Sequence, residues 1–175
     1  MEIADYRIAA FELANNLMTD SEKRLGCAMV DLGAGTTTLV VVTDNIVRQI
    51  VTIPLGINCI RQDLCSLQIE ESEAEQLLKT YGEAVIDDKI LGEDEPDPTH
   101  TISDGREIEI ATIQHIIEAR LHEILINVAH QLNNTEYAGK LLGGIILTGG
   151  GTQIKDIEKA GGSFCATSSK CRRSN

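Results

Sequence analysis

Residues 27–38 of the chain read CAMVDLGAGTTT, and this stretch decides the fold. Its first four residues are apolar, which is typical of a strand buried on both faces. A turn with two glycines follows, and a second β-branched run begins at residue 38. Glycines let the backbone turn sharply and present its N–H groups to an anion, and an aspartate such as Asp31 can hold a hydrated divalent cation beside phosphates. A plain hairpin with a glycine turn stays open as the alternative.

A second glycine loop stands near the other end of the chain, where residues 147–153 read LTGGGTQ. The loop lies between a predicted buried strand and a final predicted helix that contains Ile154, Ile157 and Ala160. A strand, a glycine turn and a helix in this order place free N–H groups at a helix N-terminus, where anions and polar ligands bind. A flexible loop of three glycines is the alternative interpretation.

Hydrophobic periodicity predicts the elements around the two loops. A first helix ends at residue 18, and a polar turn over residues 19–22 separates it from the first strand. Residues 38–42 and 46–53 are expected to form a hairpin. Helices are predicted over residues 57–67 and 71–81, with Ser72 as N-cap and Gly82 as stop for the second.

The second half of the chain starts with a predicted β region over residues 84–109, which contains an acidic, proline-bearing loop at 92–98 and a turn at 103–105. The longest helix is predicted from Ile110 to Leu132, because apolar residues keep helical spacing throughout. Residues 163–175 are small, polar and basic, so we expect disorder there. A short edge strand over residues 163–167 is the alternative.

Charge and composition exclude several classes of function. The chain has 175 residues with 15 basic and 27 acidic side chains, a net charge of −12, so it lacks the basic face that binds nucleic acid or an anionic membrane. No apolar run is long enough to cross a bilayer.

The five cysteines show no CxxC spacing, and we expect them to be reduced structural thiols in a cytoplasmic protein. His115, His122 and His130 lack the i, i+4 spacing of a helical zinc site.

Together, the two loops resemble those of the actin-like ATPase superfamily, which includes actin, sugar kinases, the seventy-kilodalton heat-shock chaperones and the filament protein MreB. Within it, the sequence is most similar to the bacterial cell-division FtsA family over residues 4–161. Ala34 in the first loop, the Ile53-Pro54-Leu55-Gly56 junction and the Ala74-Glu75 helix followed by Tyr81-Gly82 carry this resemblance.

The resemblance implies an α/β fold, one lobe of the actin-like (ribonuclease H-like) ATPases, with a mixed β-sheet, flanking helices and a small inserted α+β subdomain. Residues 1–56 and 111–162 would form the core nucleotide-binding subdomain, and residues 57–110 the insertion. The disordered tail would follow. Because relatives bind nucleotide between two lobes, the sequence is expected to be the C-terminal half of a longer protein, cut short by truncation or an altered reading frame.

The resemblance also implies a site for ATP and Mg²⁺. The first loop would surround the β- and γ-phosphates, and Asp31 would orient water around the magnesium. The second loop would pack on the nucleoside, with Gln153 near the adenine. Leu78 stands where relatives have a basic residue, so Lys79 is the substitute candidate, with a plain surface lysine as the alternative. The implied nucleotide-binding residues are Asp31, Gly33, Ala34, Gly35, Thr36, Thr37, Glu75, Lys79, Gly149, Gly150, Gly151 and Gln153.

By resemblance, the function would be that of an ATP-binding scaffold of cell division, which polymerises and tethers the FtsZ ring to the inner membrane from its cytoplasmic face. The FtsZ C-terminal peptide would bind residues 57–110, and the membrane would be reached only through a C-terminal helix that residues 163–175 do not resemble. Thr38 replaces an acidic residue of MreB and the chaperones. We therefore predict no catalytic residue, weak ATP binding and no turnover by this chain alone. A type IV pilus platform protein and half of a sugar-kinase-like enzyme are the alternatives.

Overall fold

The computed structural model describes residues 8–85, 98–164 and 171–174. Its centre is a five-stranded mixed sheet in the order β3-β2-β1-β6-β7. The central strand β1 pairs antiparallel with β2 and parallel with β6, so the strands that lead into both glycine loops run side by side. The five strands are β1 (Cys27–Leu32), β2 (Thr37–Thr43), β3 (Ile46–Ile53), β6 (Gly144–Thr148) and β7 (Cys171–Arg173).

The predicted hairpin between β2 and β3 is confirmed. Its turn residues Asp44 and Asn45 both have positive φ values, 55° and 61°, which is the backbone that a tight two-residue hairpin turn requires. A bulge between Val41 and Val42 shifts the register by one residue. The edge strand β3 alternates exposed and half-buried residues because its successive side chains point to opposite faces of the sheet.

Helices cover both faces of the sheet. On one face α3, α4, α5 and α6 pack into a single hydrophobic cluster that includes Leu32, Leu39 and Leu147 of the sheet. On the other face α1 packs Ala14 and Met18 against a smaller cluster. The helices are α1 (Ala9–Leu17), α2 (Asp20–Leu25), α3 (Ile57–Cys65), α4 (Glu71–Tyr81), α5 (Ile110–Asn133) and α6 (Ile157–Phe164).

The segment predicted as an insertion contains α3, α4 and a short hairpin of β4 (Thr99–Thr101) and β5 (Glu107–Glu109). Ile60 and Leu77 of the two helices are buried in the same cluster as α5, and Asp63 of α3 is ion-paired to Arg120 of α5. The turn at residues 103–105 is present, and residues 92–97 of the acidic loop lie outside the described residues. The boundaries of the core and insertion stay a prediction.

Two local predictions before and after the hairpin are wrong. Residues 19–22 do not form a simple turn but start α2: the Thr19 hydroxyl accepts from the Glu22 N–H, and the Glu22 carboxylate accepts from the Thr19 N–H. Such a reciprocal capping box satisfies two amide donors at the start of a helix. The N-cap of α4 is Glu70 rather than Ser72, whereas Gly82 ends the helix as predicted.

The prediction of disorder over residues 163–175 is wrong where the structure describes this segment. Helix α6 continues through Gly161 to Phe164, and Cys171–Arg173 form β7 in parallel with β6. The Arg172 guanidinium contacts both carboxylate oxygens of Glu22 at 3.1 Å, which holds the strand to α2. The alternative of an edge strand is right in kind, since β7 is an edge strand of the sheet that contains β1, but the strand lies at later residues than 163–167. Residues 165–170 and Asn175 lie outside the described residues.

Candidate nucleotide site

The first glycine loop, residues 33–36, connects β1 to β2 and is hydrogen-bonded to the start of α3. The Gly33 N–H donates to the Thr36 carbonyl at 3.0 Å, while the carbonyls of Gly33 and Ala34 accept from the N–H groups of Ile57 and Asn58 at 3.1 and 2.8 Å. Ala34, Gly35 and Thr36 are exposed. With two loop carbonyls engaged by α3, the exposed side of the loop can offer N–H groups to an anion.

Gly56 allows this close approach of α3 to the loop. A Cβ at Gly56 would collide with the Ala34 carbonyl and would lie 2.6 Å from the Thr36 nitrogen, so a side chain there would push the loop away. Gly35, by contrast, faces open space, since a Cβ added there meets nothing within 4 Å. The loop is therefore tightly packed on the side that contacts Gly56 and open on the side of Gly35.

The second loop leaves β6 at Gly149, whose φ of 88° is left-handed and favours glycine. A Cβ at Gly149 would collide with Asp31 Oδ1 and would lie 2.7 Å from the Leu32 carbonyl, so the two loops touch at this point. A 3₁₀ turn over Gly150–Gln153 follows, and α6 begins only at Ile157. The predicted helix N-terminus at the loop is thus a single tight turn.

Asp31 lies between the two loops. Its β1 position pairs with Thr38 on one side and Thr148 on the other. Burial raises the pKa of its carboxyl above the ordinary value because the charged form loses hydration. A half-buried carboxylate next to a phosphate-type loop fits a magnesium ion, which is held in proteins by one or two carboxylates together with phosphate oxygens.

A pocket of about 460 Å³ opens where the loops meet α3 and α4. Its size falls within the range of small-molecule sites, roughly 300–1,000 Å³. Seven of the twelve sequence-predicted residues line the pocket, namely Gly33, Ala34, Glu75, Lys79, Gly150, Gly151 and Gln153. The other walls are formed by Ile57, Asn58, Arg61, Leu78, Gly82 and Ile154.

Five predicted residues are not part of this lining: Asp31, Gly35, Thr36, Thr37 and Gly149. Asp31 and Gly149 lie where the two loops touch. Gly35 and Thr36 form the exposed rim of the first loop. Thr37 is fully buried, and its hydroxyl donates to the Leu55 carbonyl at 2.8 Å. Its role is therefore to fasten the end of the loop to the chain before α3.

Glu75 and Lys79 form an ion pair on the α4 wall. Lys79 Nζ lies 2.6 Å from Glu75 Oε1, and both side chains are largely exposed. The hydrogen bond from Lys79 is the main cause that lowers the pKa of Glu75 below its usual value. Lys79 thus lies at the pocket wall, next to a carboxylate that can accept hydrogen bonds from hydroxyl groups, and its contact with a nucleotide stays a prediction.

Sequence reasoning missed the contribution of α3 to the pocket. Asn58 and Arg61 line it because they lie three residues apart on the helix face that meets the first loop. No short motif marks either residue. The signal that could have found them is the Pro54-Leu55-Gly56 junction, which fixes the start of α3 against the loop.

The described residues contain neither a metal-ion cluster nor a membrane-spanning helix. In residues 8–85, 98–164 and 171–174, no group of three or more His, Cys, Asp or Glu side chains could hold a metal ion. Within these same ranges, no helix has the length and apolar character needed to cross a membrane.

Comparisons with known proteins agree with this architecture. The family model described as "Cell division protein FtsA" matches residues 28–170. FtsA of Porphyromonas gingivalis is 30% identical over 147 residues, which are 84% of this chain and 30% of that protein. FtsA of Neisseria meningitidis serogroup B is 34% identical over 143 residues, 81% of this chain and 34% of that protein. The chain therefore spans about a third of the length of these relatives.

Among solved structures, MreB5 of Spiroplasma citri bound to AMPPNP superposes with a TM-score of 0.70 at 22% identity. The match covers 90% of this chain and 51% of that one. At this identity the similarity concerns the fold alone, which is an actin-like α/β lobe.

Proposed function

Because the chain belongs to the family of the cell division protein FtsA, we propose that it binds Mg-ATP in the pocket between its two glycine loops. The observation that carries this proposal is the convergence of the two loops. They touch at Gly149, next to Asp31, and they share one pocket with α3 and α4.

Each wall of the pocket has chemistry that suits one part of the ligand. The open side of the first loop offers backbone donors to phosphates, and Asp31 would hold Mg²⁺ through water. The bound ion would neutralise phosphate charge, which matters in a chain of net charge −12. The 3₁₀ turn at Gly150 and Gly151 has no side chains to obstruct a ligand, so with Gln153 beside it the turn suits the adenosine, and the exposed carboxylate of Glu75 suits ribose hydroxyls.

A titration of the isotope-labelled chain with Mg-ATP, followed by NMR, tests this proposal. We expect weak binding, with shifts centred on residues 33–36 and 149–153, and a weaker effect when magnesium is omitted. ATP-independent spectra, or shifts confined to surfaces away from both loops, would refute it. A sub-micromolar dissociation constant would refute the narrower expectation that this chain supplies only one wall of the site.

We further propose that the chain acts as part of a division scaffold at the cytoplasmic face of the membrane. The proposed partners are FtsZ, through its C-terminal peptide, and further copies of the scaffold in a filament. Family membership supports this role and gives no support to a pilus platform or a sugar-kinase half. Fluorescence anisotropy with a labelled FtsZ C-terminal peptide, against a scrambled peptide of equal charge, tests the first partner. Equal anisotropy for the two peptides would contradict the proposal.

A further inference from the structure

Arg61 of α3 has one donor, its Nε–H, that finds no acceptor among the described residues. Its side chain is only 28% exposed and lines the pocket between the loops and α4. Its Nε atom is also shielded from solvent. Its Nη2 atom lies 3.5 Å from Glu71 Oε1, which is a long contact to a side chain that is 71% exposed.

A shielded guanidinium donor without an acceptor is costly, so its presence at a pocket points to an acceptor on a ligand. Arginine has five N–H donors and no acceptor, and it stays charged at any ordinary pH. Its natural partners are therefore oxygen and ring-nitrogen acceptors, and its flat face also stacks on ring systems.

The position of Arg61 on α3 indicates which part of a nucleotide it faces. Ile57 and Asn58 donate their N–H groups to the first loop, which marks the phosphate end of the pocket. Arg61 follows one helical turn later, about 5.4 Å further along the axis. Glu75 and Leu78 of α4 line the same pocket as Arg61. The hydrogen bond from Lys79 is the main cause that lowers the pKa of Glu75, and the charge of Arg61 makes a smaller contribution in the same direction.

We propose that Arg61 binds the nucleoside part of the ligand, through ribose or purine acceptors, opposite Glu75. This inference rests on the proposed function, since it assigns a residue to the same nucleotide pocket. The positive group that holds the nucleoside then comes from α3. Lys79 takes a different role: paired to Glu75 at 2.6 Å, it orients that carboxylate.

The test measures binding of adenosine and Mg-ATP to the full chain by NMR titration, for the wild type and three variants. Arg61→Met keeps the apolar stem of the side chain and removes all donors, and Arg61→Lys keeps the charge without the planar fork. Arg24→Met is the matched control, because Arg24 is exposed on α2 and is not part of the pocket lining.

We expect Arg61→Met to weaken adenosine and Mg-ATP by the same factor, roughly tenfold or more for a lost charge-assisted hydrogen bond. Arg61→Lys should fall between wild type and Arg61→Met, and Arg24→Met should match wild type. Matching far-UV circular dichroism and thermal midpoints identify variants that keep the fold. Should Arg61→Met fail this check, Arg61→Lys and Arg61→Gln are compared in its place.

Three results would overturn the inference. Unchanged affinities in Arg61→Met would remove Arg61 from the site while leaving the proposed function intact. A loss for Mg-ATP without a loss for adenosine would place the residue at the phosphates. If the wild type bound neither ligand at millimolar concentration, the proposed function itself would fail, and the inference with it.

Discussion

Replacing Arg172 with methionine tests whether β7 is a structural part of the fold. The guanidinium contacts both oxygens of Glu22 at 3.1 Å and donates to the Leu17 carbonyl at 3.0 Å, so one side chain links the end of α1, α2 and the last strand. Arg172→Met removes these donors and keeps an unbranched stem of similar reach.

The expected magnitude follows from exposure. The side chains of Arg172 and Glu22 are 44% and 20% exposed, so solvent screens the pair and exposed-pair values of about 0.2–1 kcal/mol apply. The two-pronged geometry places the pair at the upper end, and water replaces part of the lost backbone hydrogen bond. We expect a loss of about 1 kcal/mol in the free energy of unfolding, or about 2–4 °C in the thermal midpoint for a chain of this size.

The effect should depend on pH in one direction. Burial alone would raise the pKa of Glu22, but hydrogen bonds from Arg172 and Thr19 outweigh it and hold the pKa below its ordinary value of 4.5. A carboxyl with a lowered pKa stabilises the fold above the pKa of the unfolded chain, and this stability is lost as pH falls through the folded value. The difference between wild type and variant should therefore be full at neutral pH and shrink in acid.

Thermal unfolding followed by circular dichroism at neutral and acidic pH provides the measurement, with Arg24→Met as control on α2. If Arg172→Met unfolds at the same temperature as the control, the contacts of Arg172 contribute nothing to stability and the reasoning fails. A difference that persists undiminished below the Glu22 pKa would show that the ion pair is not its source.

Three further predictions follow from the glycine loops and the core. Gly149→Ala should lower the free energy of unfolding by about 2 kcal/mol or more, because the left-handed backbone strains an alanine and its Cβ would collide with Asp31. Gly150→Ala is the matched control, since a Cβ there meets nothing within 4 Å, and equal thermal midpoints for the two variants would contradict the prediction. Asp31→Asn should raise the thermal midpoint at neutral pH, because burial raises the pKa of Asp31 and the wild type loses stability as pH rises through that pKa. The gain in midpoint should vanish in acid, while Mg-ATP binding weakens. A lower midpoint in the variant at neutral pH would contradict this prediction. Burial raises the pKa of Cys27 to about 12, so iodoacetamide should leave Cys27 unmodified in the native chain at pH 8 and alkylate it after unfolding, as mass spectrometry would show; native labelling would refute its burial.

Much of the core was predictable because it depends on local patterns. The apolar run that begins at Cys27 and the β-branched runs flanking Asp44-Asn45 predict strands, and the structure has them. The capping box at Thr19 and Glu22 was equally visible in the sequence, but the polar residues between them also suit a turn. Local pattern alone did not decide between the two.

Two of the misses, β7 and the place of Arg61, depend on contacts between residues far apart in the sequence. The order of β7 comes from Arg172 reaching Glu22, 150 residues away, and no composition rule for a polar, basic segment contains that contact. The sequence did not predict the place of Arg61 at the pocket for the same reason. Its place at the pocket follows from how α3 packs under the first loop, and no motif within α3 encodes it.

The attachment of α3 to the first loop makes the two a single mechanical body. Two backbone hydrogen bonds join α3 to the loop, and Gly56 lies too close to the loop backbone for a side chain. Helix α3 is in turn linked to α5 by the bidentate pairing of Asp63 with Arg120. A ligand that shifts the loop is therefore expected to shift the start of α3 as well, and α3 packs against both α5 and α4.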